Sequence, residues 1–519
     1  MRMQWTAIWR AAVVAAAVAA ALAACGGADD GDPGTGRGAL LQNPPPGTFA
    51  ASAPDLRAQL SATPTGRELL ALVGAPVCGV QVHSIEYATV GARGEPTNAT
   101  AALMLPQGRG AACSGARPVL LYGHGTDPRR AYNQAEITDL TRPGAASGLQ
   151  LAATFAAHGF IVVAPNYAGY DRSRLAYHPY LVADQQSKDM IDALTAARRA
   201  LPLLSARDSG QLLLSGNSQG GHVALATHRA LQAAGEYVTA SAPMSGPYAL
   251  ASYGDAIFHG RVPLGSTVFT PLLVTAYQQA YGNLYRAPGE VYASRYASHM
   301  ETLLPAQVPL DQLWAQGRLP VSALFSSSAP APGLEAITPP TTPLAQAPLF
   351  ALGFGLDPLM RNSQRLAYLQ DAQARPDGVV PQWSTGLPAA APGHPMRVAL
   401  KANDLRDWVP TRPVLLCGGQ ADPTVFFGLN TGVMQALWSA PSAAAMAPGL
   451  LSVLDVDAPV SGIDDPFAGV KTGFALSKAA AVAQGGPAAA LLLYHGALVP
   501  PLCHLAARGF FDRVIASGQ

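Results

Sequence analysis

The stretch Gln211–Thr227, QLLLSGNSQGGHVALAT, is the part of the sequence that decides the fold. Its first part, Leu212–Leu214, is a short apolar run of the kind that forms a strand buried on both faces of a sheet. Gly216–Gly220 then fits the pattern G-x-S-x-G, and the residues that follow can continue as a helix. A strand, a tight turn and a helix are the context in which this pattern exposes a nucleophilic serine, here Ser218. The alternative is a glycine-rich turn with an incidental serine.

Strand and helix patterns alternate from Pro118 to Ala242 around that stretch. This alternation predicts an α/β fold with a mostly parallel sheet and helices on both of its faces. Ligands bind such sheets at the carboxyl ends of the strands, which is where the pattern places Ser218.

The alternation stops at about residue 247, and residues 247–409 contain proline- and alanine-rich stretches and clustered tyrosines instead. We therefore expect a mainly helical cap, 247–409, inserted between the sixth and seventh strands of the sheet. The hydrolase-like core would then comprise 51–246 and 410–519.

The sheet is expected to resume at Pro413–Cys417, PVLLC, which is again a short apolar run. The apolar run Ala488–Tyr494 is interpreted as its last strand. With this strand the predicted sheet has one strand–helix pair more than the minimal scheme for such a fold, so the order of the last strands stays open.

The first 25 residues have the features of an export signal. Arg2 and Arg10 are basic, and Ala11–Leu22 is an apolar run that is short for a membrane span. The run ends in Leu22–Gly26, LAACG, which resembles the lipobox of bacterial lipoproteins. The resemblance implies that Cys25 is lipidated and anchors the protein in the bacterial cell envelope, as in outer-membrane lipoproteins. An ordinary secretory signal with an incidental Cys25 is the alternative.

The composition excludes some partners. The chain has 519 residues, of which 49% are hydrophobic and 13% charged, with a net charge of +1. A large core is therefore expected, and nothing indicates nucleic acid as a partner. Residues 26–50 are rich in glycine, proline and aspartate, which predicts a flexible tether.

Four cysteines remain after Cys25, and export favours disulfides. Cys78 and Cys113 bracket the predicted first hairpin, whereas Cys417 and Cys503 each precede a candidate catalytic residue. We therefore predict the pairs Cys78–Cys113 and Cys417–Cys503, with buried free thiols as the alternative.

A serine nucleophile needs a base within hydrogen-bond reach and an acid that orients the base. In an α/β sheet of this kind these residues follow in the order serine, acid, histidine, each after a strand. Asp422 lies five residues beyond the strand Pro413–Cys417 and is the candidate acid, with Asp455 and Asp457 as rivals.

Two histidines, His495 and His504, lie after Asp422. His495 directly follows the predicted strand Ala488–Tyr494, which would hold it too close to the sheet to reach Ser218. His504 lies on the next predicted loop, so it is the expected base.

The negative charge that develops on the substrate oxygen needs two backbone N–H donors. One is expected from Gln219, directly after the nucleophile, and the other from the turn Gly125–Thr126, which follows the strand that ends in Tyr122. Three more side chains are candidates for the pocket or its support: His124, Tyr170 and His178.

These residues together resemble the α/β-hydrolase superfamily, over roughly 80–519. Within it, YGHGT, NYAGY and GNSQGG are similar to secreted lipases and esterases with a large cap, the type of the Candida antarctica lipase A-like secretory lipases. The resemblance implies hydrolysis of carboxylic esters through an acyl-enzyme, with Ser218 as nucleophile, His504 as base and Asp422 as orienting acid. It implies no metal and no organic cofactor.

Three functions are weighed. The first is an anchored serine esterase or lipase acting on a small-molecule or lipid ester, with an apolar pocket under the cap. The second is a serine peptidase or amidase on the same fold, which would need acidic cap residues such as Glu290, Glu301 and Glu335 to hold a peptide amino terminus. The third is a non-catalytic surface binding protein.

Overall fold

The structure is a computed structural model that describes residues 36–440 and 446–518. The predicted signal peptide, the predicted lipidation site Cys25 and the first part of the predicted tether lie outside the described residues.

Within residues 36–440 and 446–518, nine strands form one sheet and two short strands form another. The strands are β1 (Gly47–Ala51), β2 (Gly79–Val90), β3 (Pro96–Gln107), β4 (Ala116–Gly123), β5 (Ile161–Pro165), β6 (Arg207–Asn217), β7 (Ala240–Met244), β8 (Phe325–Ser326), β9 (Phe354–Gly355), β10 (Val414–Gly418) and β11 (Leu451–Asp455).

The large sheet has the strand order β1-β2-β3-β5-β4-β6-β7-β10-β11. All neighbouring strands from β5 to β11 pair in parallel, whereas β1, β2 and β3 pair antiparallel with their neighbours. The predicted mostly parallel sheet is confirmed. The cap follows β7, which is the sixth of the predicted strands and becomes the seventh because β1 has no recognisable pattern in the sequence.

Helices cover both faces of this sheet. The α-helices are α1 (Ala53–Ser61), α2 (Pro64–Val73), α3 (Ala145–Thr154), α4 (Ala183–Ala200), α5 (Gln219–Ala233), α6 (Leu250–Phe258), α7 (Ser266–Tyr281), α8 (Ser294–Ala297), α9 (Met300–Leu303), α10 (Leu310–Ala315), α11 (Ala347–Ala351), α12 (Asn362–Ala374), α13 (Pro395–Ala402), α14 (Thr431–Ser439), α15 (Ala468–Leu493) and α16 (Val499–Ser517).

The strand before the nucleophile shows why its sequence is continuously apolar. In β6, Leu213 faces the core on the side of α16, whereas Leu212 and Leu214 face the core on the side of α4. Side chains alternate between the two faces of a strand, so a strand covered on both faces needs apolar residues throughout.

The regular structure of the segment between β7 and β10 is almost entirely helical, and the segment supplies most of a second hydrophobic core. Phe258 of α6 stacks on Tyr368 of α12 with ring centroids 3.6 Å apart. Arg397 of α13 is buried and pairs with Asp255 and Asp371, each at 2.8 Å. These contacts join α6, α12 and α13 into one unit that lies over the carboxyl ends of the strands.

Residues 36–50 do not form the free tether that the sequence predicts. Ala39 is fully buried, and the amides of Gly38 and Leu41 donate to the carbonyls of Ala88 and Glu86, both at 2.8 Å. The segment then continues as β1, which pairs with β2. Its glycines and prolines therefore shape an ordered edge of the sheet.

The prediction of a strand at Ala488–Tyr494 is wrong, because these residues are helical. Helix α15 breaks at Gly486, whose φ is 76° and ψ is 177°, and restarts after Pro487. Tyr494–Leu498 then forms a π-helical turn that leads into α16.

By length and composition alone, Ala468–Ser517 is long and apolar enough to cross a membrane. In the structure, however, 44% of its most apolar stretch is buried within the protein. The segment also breaks at Gly486 and packs through α16 onto the sheet. It therefore belongs to the fold.

The two predicted disulfides are both present. Cys78 and Cys113 have Cα atoms 5.4 Å apart and join the start of β2 to the loop after β3. Cys417 and Cys503 have Cα atoms 5.8 Å apart and join β10 to α16. The second bridge ties the strand before Asp422 to the helix that follows His495.

Candidate active site

Ser218 lies on the sharp turn between β6 and α5. Its backbone has φ 58° and ψ −122°, a conformation that is strained for a residue with a side chain. A β-carbon on Gly216 would overlap the backbone of Gly220, and one on Gly220 would overlap the backbone of Gly123. Glycine is therefore required at both flanking positions of the pattern, and the serine is held at the start of α5.

His495 and Asp422 complete a chain of hydrogen bonds with this serine. The Oγ of Ser218 lies 2.8 Å from Nε2 of His495, and Nδ1 of His495 lies 2.7 Å from Oδ2 of Asp422. The carboxylate can only accept, so Nδ1–H donates to it and leaves Nε2 free to accept from the serine hydroxyl. This is the arrangement that turns a serine into a nucleophile.

The carboxylate of Asp422 is fixed by backbone amides of its own loop. The second oxygen of Asp422, Oδ1, accepts from the amides of Thr424 at 2.9 Å and Val425 at 3.0 Å. Asp455, one of the rival acids, accepts instead from the amides of Gln420 and Asp457, both at 3.0 Å. Asp455 therefore stabilises the loop that carries Asp422 and does not orient His495.

The prediction that His504 meets Ser218 is wrong. His504 lies inside α16, 2% exposed, and its Nε2 is 2.9 Å from the hydroxyl of Tyr122. Its Nδ1 has no partner among the described residues, and burial lowers the pKa of His504 to about 3. The imidazole is therefore a neutral core side chain that packs edge-on against Tyr122 and Phe155.

The sequence before His495 contains a pattern that favours a helix over the predicted strand. Gly486-Pro487 is typical of the start of a helix, since proline is favoured at the first helical position. The run after it consists of alanine and leucine up to Tyr494, residues that favour helix over strand. A helix there carries His495 away from the sheet surface and over the carboxyl end of β6.

The predicted oxyanion donors are backbone N–H groups next to Ser218. Among the described residues, the amides of Gln219, Gly125 and Thr126 donate to no protein atom. A β-carbon on Gly125 would lie 3.5 Å from Cβ of Ser218, so this turn lies directly beside the nucleophile. The hydroxyl of Thr126 is fixed by Tyr180 at 2.8 Å.

His124, Tyr170 and His178 are buried behind this turn and do not line the cavity next to Ser218. His124 stacks between Tyr132 and Tyr167, with centroids 4.1 and 4.2 Å away, and burial lowers its pKa to about 4. Tyr170 donates its hydroxyl to the carbonyl of Asp127 at 2.6 Å. These aromatic contacts support the turn from below.

His178 acts on the site through Gln219. Its Nδ1–H donates to the carbonyl of Ala168 at 2.9 Å, and burial lowers the pKa of His178 to about 3, so the ring is neutral. Its Nε2 can then only accept, and it does so from the side-chain amide of Gln219 at 2.6 Å. The bond fixes the side chain of the residue whose backbone N–H is an oxyanion candidate.

An apolar cavity opens beside Ser218, between the sheet and the cap. No charged side chain is among the described residues that line it. The lining residues are Tyr180, Leu181, Ser218, Gln219, Pro247, Leu250, Tyr253, Gly254, Ile257, Phe258, Pro263, Ser266, Phe269, Thr270, Leu273, Leu324, Met360, Met396, Leu400, Thr424 and Val425.

Several solved structures resemble this chain. The rice cell wall degrading esterase LipA from Xanthomonas oryzae aligns with 26% identity and a TM-score of 0.64, over 92% of this chain and 99% of that one. A presumed hydrolase of Legionella pneumophila aligns with 18% identity and a TM-score of 0.54, over 79% and 91%. Candida antarctica lipase A, at 11% identity and a TM-score of 0.44 over 81% and 76%, is too remote to carry an argument.

No protein-family model and no curated protein matches the chain. The sheet, the cap and the alignment with an esterase over nearly its whole length give this chain a fold similar to that of α/β-hydrolases of the lipase and esterase type. They support a hydrolase that acts on ester substrates.

Proposed function

We propose that the protein is a serine esterase that cleaves carboxylic esters through an acyl-enzyme. The observation that carries the proposal is the chain of hydrogen bonds from Ser218 through His495 to Asp422, at 2.8 and 2.7 Å, beside an apolar cavity. His495 replaces His504 as the base in this account.

The chemistry follows from the donors and acceptors. Ser218 Oγ attacks the carbonyl carbon of the ester while His495 Nε2 takes its proton, and Asp422 stabilises the imidazolium that forms. The carbonyl oxygen becomes negative and accepts from the backbone N–H groups of Gln219 and of Gly125 or Thr126. His495 returns the proton to the departing alcohol, and water then cleaves the acyl-enzyme by the same steps.

The cavity favours an ester with an apolar acyl or alkyl group. Its lining carries no charge to bind an anionic or cationic substituent, and apolar surface of this kind is stabilised by burying hydrocarbon. A peptidase acting on a free amino terminus is disfavoured, because Glu290, Glu301 and Glu335 lie outside the lining and each accepts a bond from a cap group.

The test is ester cleavage by wild type and Ser218→Ala across p-nitrophenyl esters of increasing acyl length. We expect the variant to keep its fold and lose turnover by at least about 10,000-fold. A fluorophosphonate probe should label the wild type and not the variant. Unchanged turnover in Ser218→Ala would remove the proposal.

Export and anchoring through Cys25 are part of the same proposal. Two buried disulfides support an oxidising compartment. Metabolic labelling with a palmitate analogue should mark the wild type, and Cys25→Ser should lose the label and move to the soluble fraction. Equal labelling of both proteins would contradict anchoring at this residue.

A further inference from the structure

The residue before the proposed base connects that base to the acid loop. Tyr494 is 2% exposed, and its hydroxyl makes two hydrogen bonds. It accepts from the amide of Ala421 at 3.2 Å, next to Asp422, and it donates to Oδ2 of Asp457 at 2.8 Å. One hydroxyl therefore joins the turn that carries His495 to the loops that follow β10 and β11.

The ring of Tyr494 also fits closely against the acid loop. A β-carbon on Gly419 would lie 2.8 Å from Cε1 of Tyr494, so glycine is needed there for the ring to approach. On its other side the ring packs edge-on against Phe474 of α15, with centroids 5.3 Å apart. The ring is thus held between α15 and the loop that bears Asp422.

Two carboxylates complete the connection. Asp457 is bound by Nζ of Lys478 at 2.8 Å in addition to Tyr494. Asp455 accepts from the amides of Gln420 and Asp457, which fixes the two loops to each other. Burial, followed by the hydrogen bond and charge of Asp457, raises the pKa of Tyr494 well above its ordinary value, so the hydroxyl keeps its proton and can donate.

His495 itself has few other restraints. Among the described residues, its ring forms hydrogen bonds only with Ser218 and Asp422. Its backbone belongs to a short π-helical turn after a helix that breaks at Gly486. Turns of this type recur at functional sites because they reorient single side chains. The position of the imidazole relative to Asp422 therefore depends on the contact made by the preceding residue.

We infer that Tyr494 is a positioning residue, whose hydroxyl holds the His495 turn and the Asp422 loop at the separation that proton transfer requires. The inference rests on the proposed function. Loss of the hydroxyl would leave the amide of Ala421 without its partner and Oδ2 of Asp457 with Lys478 alone, and would let the two segments separate. A shift of the base by a fraction of an ångström slows the chemical step more than substrate binding.

The test compares Tyr494→Phe with Tyr87→Phe. Tyr87 is also fully buried and donates its hydroxyl to a buried carboxylate, Oδ1 of Asp189 at 2.7 Å, but it lies on β2 and lines no part of the cavity. Both variants lose the same kind of bond and should lose similar stability in urea unfolding. Only Tyr494→Phe should lower kcat, by about 10- to 100-fold, with KM unchanged.

A double-mutant cycle between Tyr494 and Asp457, read out as kcat, gives a second test that does not rest on a single variant. Asp457→Asn should lower kcat in the same direction, and Tyr494→Phe combined with Asp457→Asn should lower it little further, because both changes break the same connection. If kcat of Tyr494→Phe stays within twofold of an active wild type, or if Tyr87→Phe loses as much kcat, the positioning role is overturned. A wild type that neither cleaves esters nor reacts with the fluorophosphonate overturns the proposed function, and the role of Tyr494 with it.

Discussion

Two histidines near the end of the chain, His495 and His504, have opposite surroundings. His495 uses both ring nitrogens, one toward Ser218 and one toward Asp422. His504 lies in the helix that follows; its Nε2 faces Tyr122, and its Nδ1 has no partner in the part of the chain that the structure describes. A catalytic base therefore has an acid on one ring nitrogen and a nucleophile on the other. The order of the histidines along the chain identifies it less well.

The path of the backbone explains which histidine reaches the nucleophile. The chain leaves α15 through the π-helical turn at Tyr494–Leu498, above the carboxyl ends of the strands. It then enters α16, which packs against one face of the sheet and is joined to β10 by Cys417–Cys503. A residue in the turn can reach the site, but a residue inside α16 faces the core.

The largest expected effect comes from His495→Ala, which removes the proposed base. We expect kcat for a p-nitrophenyl ester to fall by about 100,000-fold, since Ser218 then has no proton acceptor, with an unchanged melting temperature. The matched variant His504→Ala should keep kcat within about twofold. Substantial activity in His495→Ala, together with loss in His504→Ala, would reverse the comparison.

The next effect concerns the acid behind His495. Asp422→Asn should lower kcat by about 10,000-fold, because an amide can no longer hold Nδ1 as the donor. Asp455→Asn, which changes a carboxylate that only braces the loop, should lower kcat by less than about 10-fold. Equal losses in the two variants, measured on the same ester, would leave Asp422 without a distinct role.

The smallest effect is on stability and concerns His504 alone. Burial lowers the pKa of His504 to about 3, from an ordinary value of 6.5. Below pH 6.5 the unfolded chain binds a proton here that the folded protein does not. The resulting stability is therefore fully present above pH 6.5 and is lost as the pH falls toward about 3.

The variant His504→Leu removes this titration. Its free energy of unfolding in urea should decline less steeply with acid than that of wild type, by about 1.4 kcal/mol per pH unit between pH 5.5 and 4. Parallel curves for the two proteins over that interval would show that His504 is protonated in the folded state.

Much of the first part of the fold could be predicted from local pattern. The run Leu212–Leu214 and the glycines around Ser218 specify strand, turn and helix at once, because backbone overlap leaves little choice at Gly216 and Gly220. Both disulfides could also be predicted, although Cys503 precedes the core residue His504 and not the proposed base.

The C-terminal part was harder for a physical reason. A short apolar run such as Ala488–Tyr494 fits a buried strand and a buried helix equally by periodicity, and only its composition separates them. The edge strand β1 had no recognisable pattern, because its pairing with β2 is decided by tertiary contacts. The first of these errors displaced the expected base from His495 to His504.

The most direct test is a crystal structure of the protein after reaction with a fluorophosphonate. We expect the phosphorus on Oγ of Ser218, Nε2 of His495 within about 3 Å of an oxygen of the adduct or of Oγ, and His504 still bonded to Tyr122. A different imidazole at Ser218, or His495 turned away from Asp422, would contradict the account.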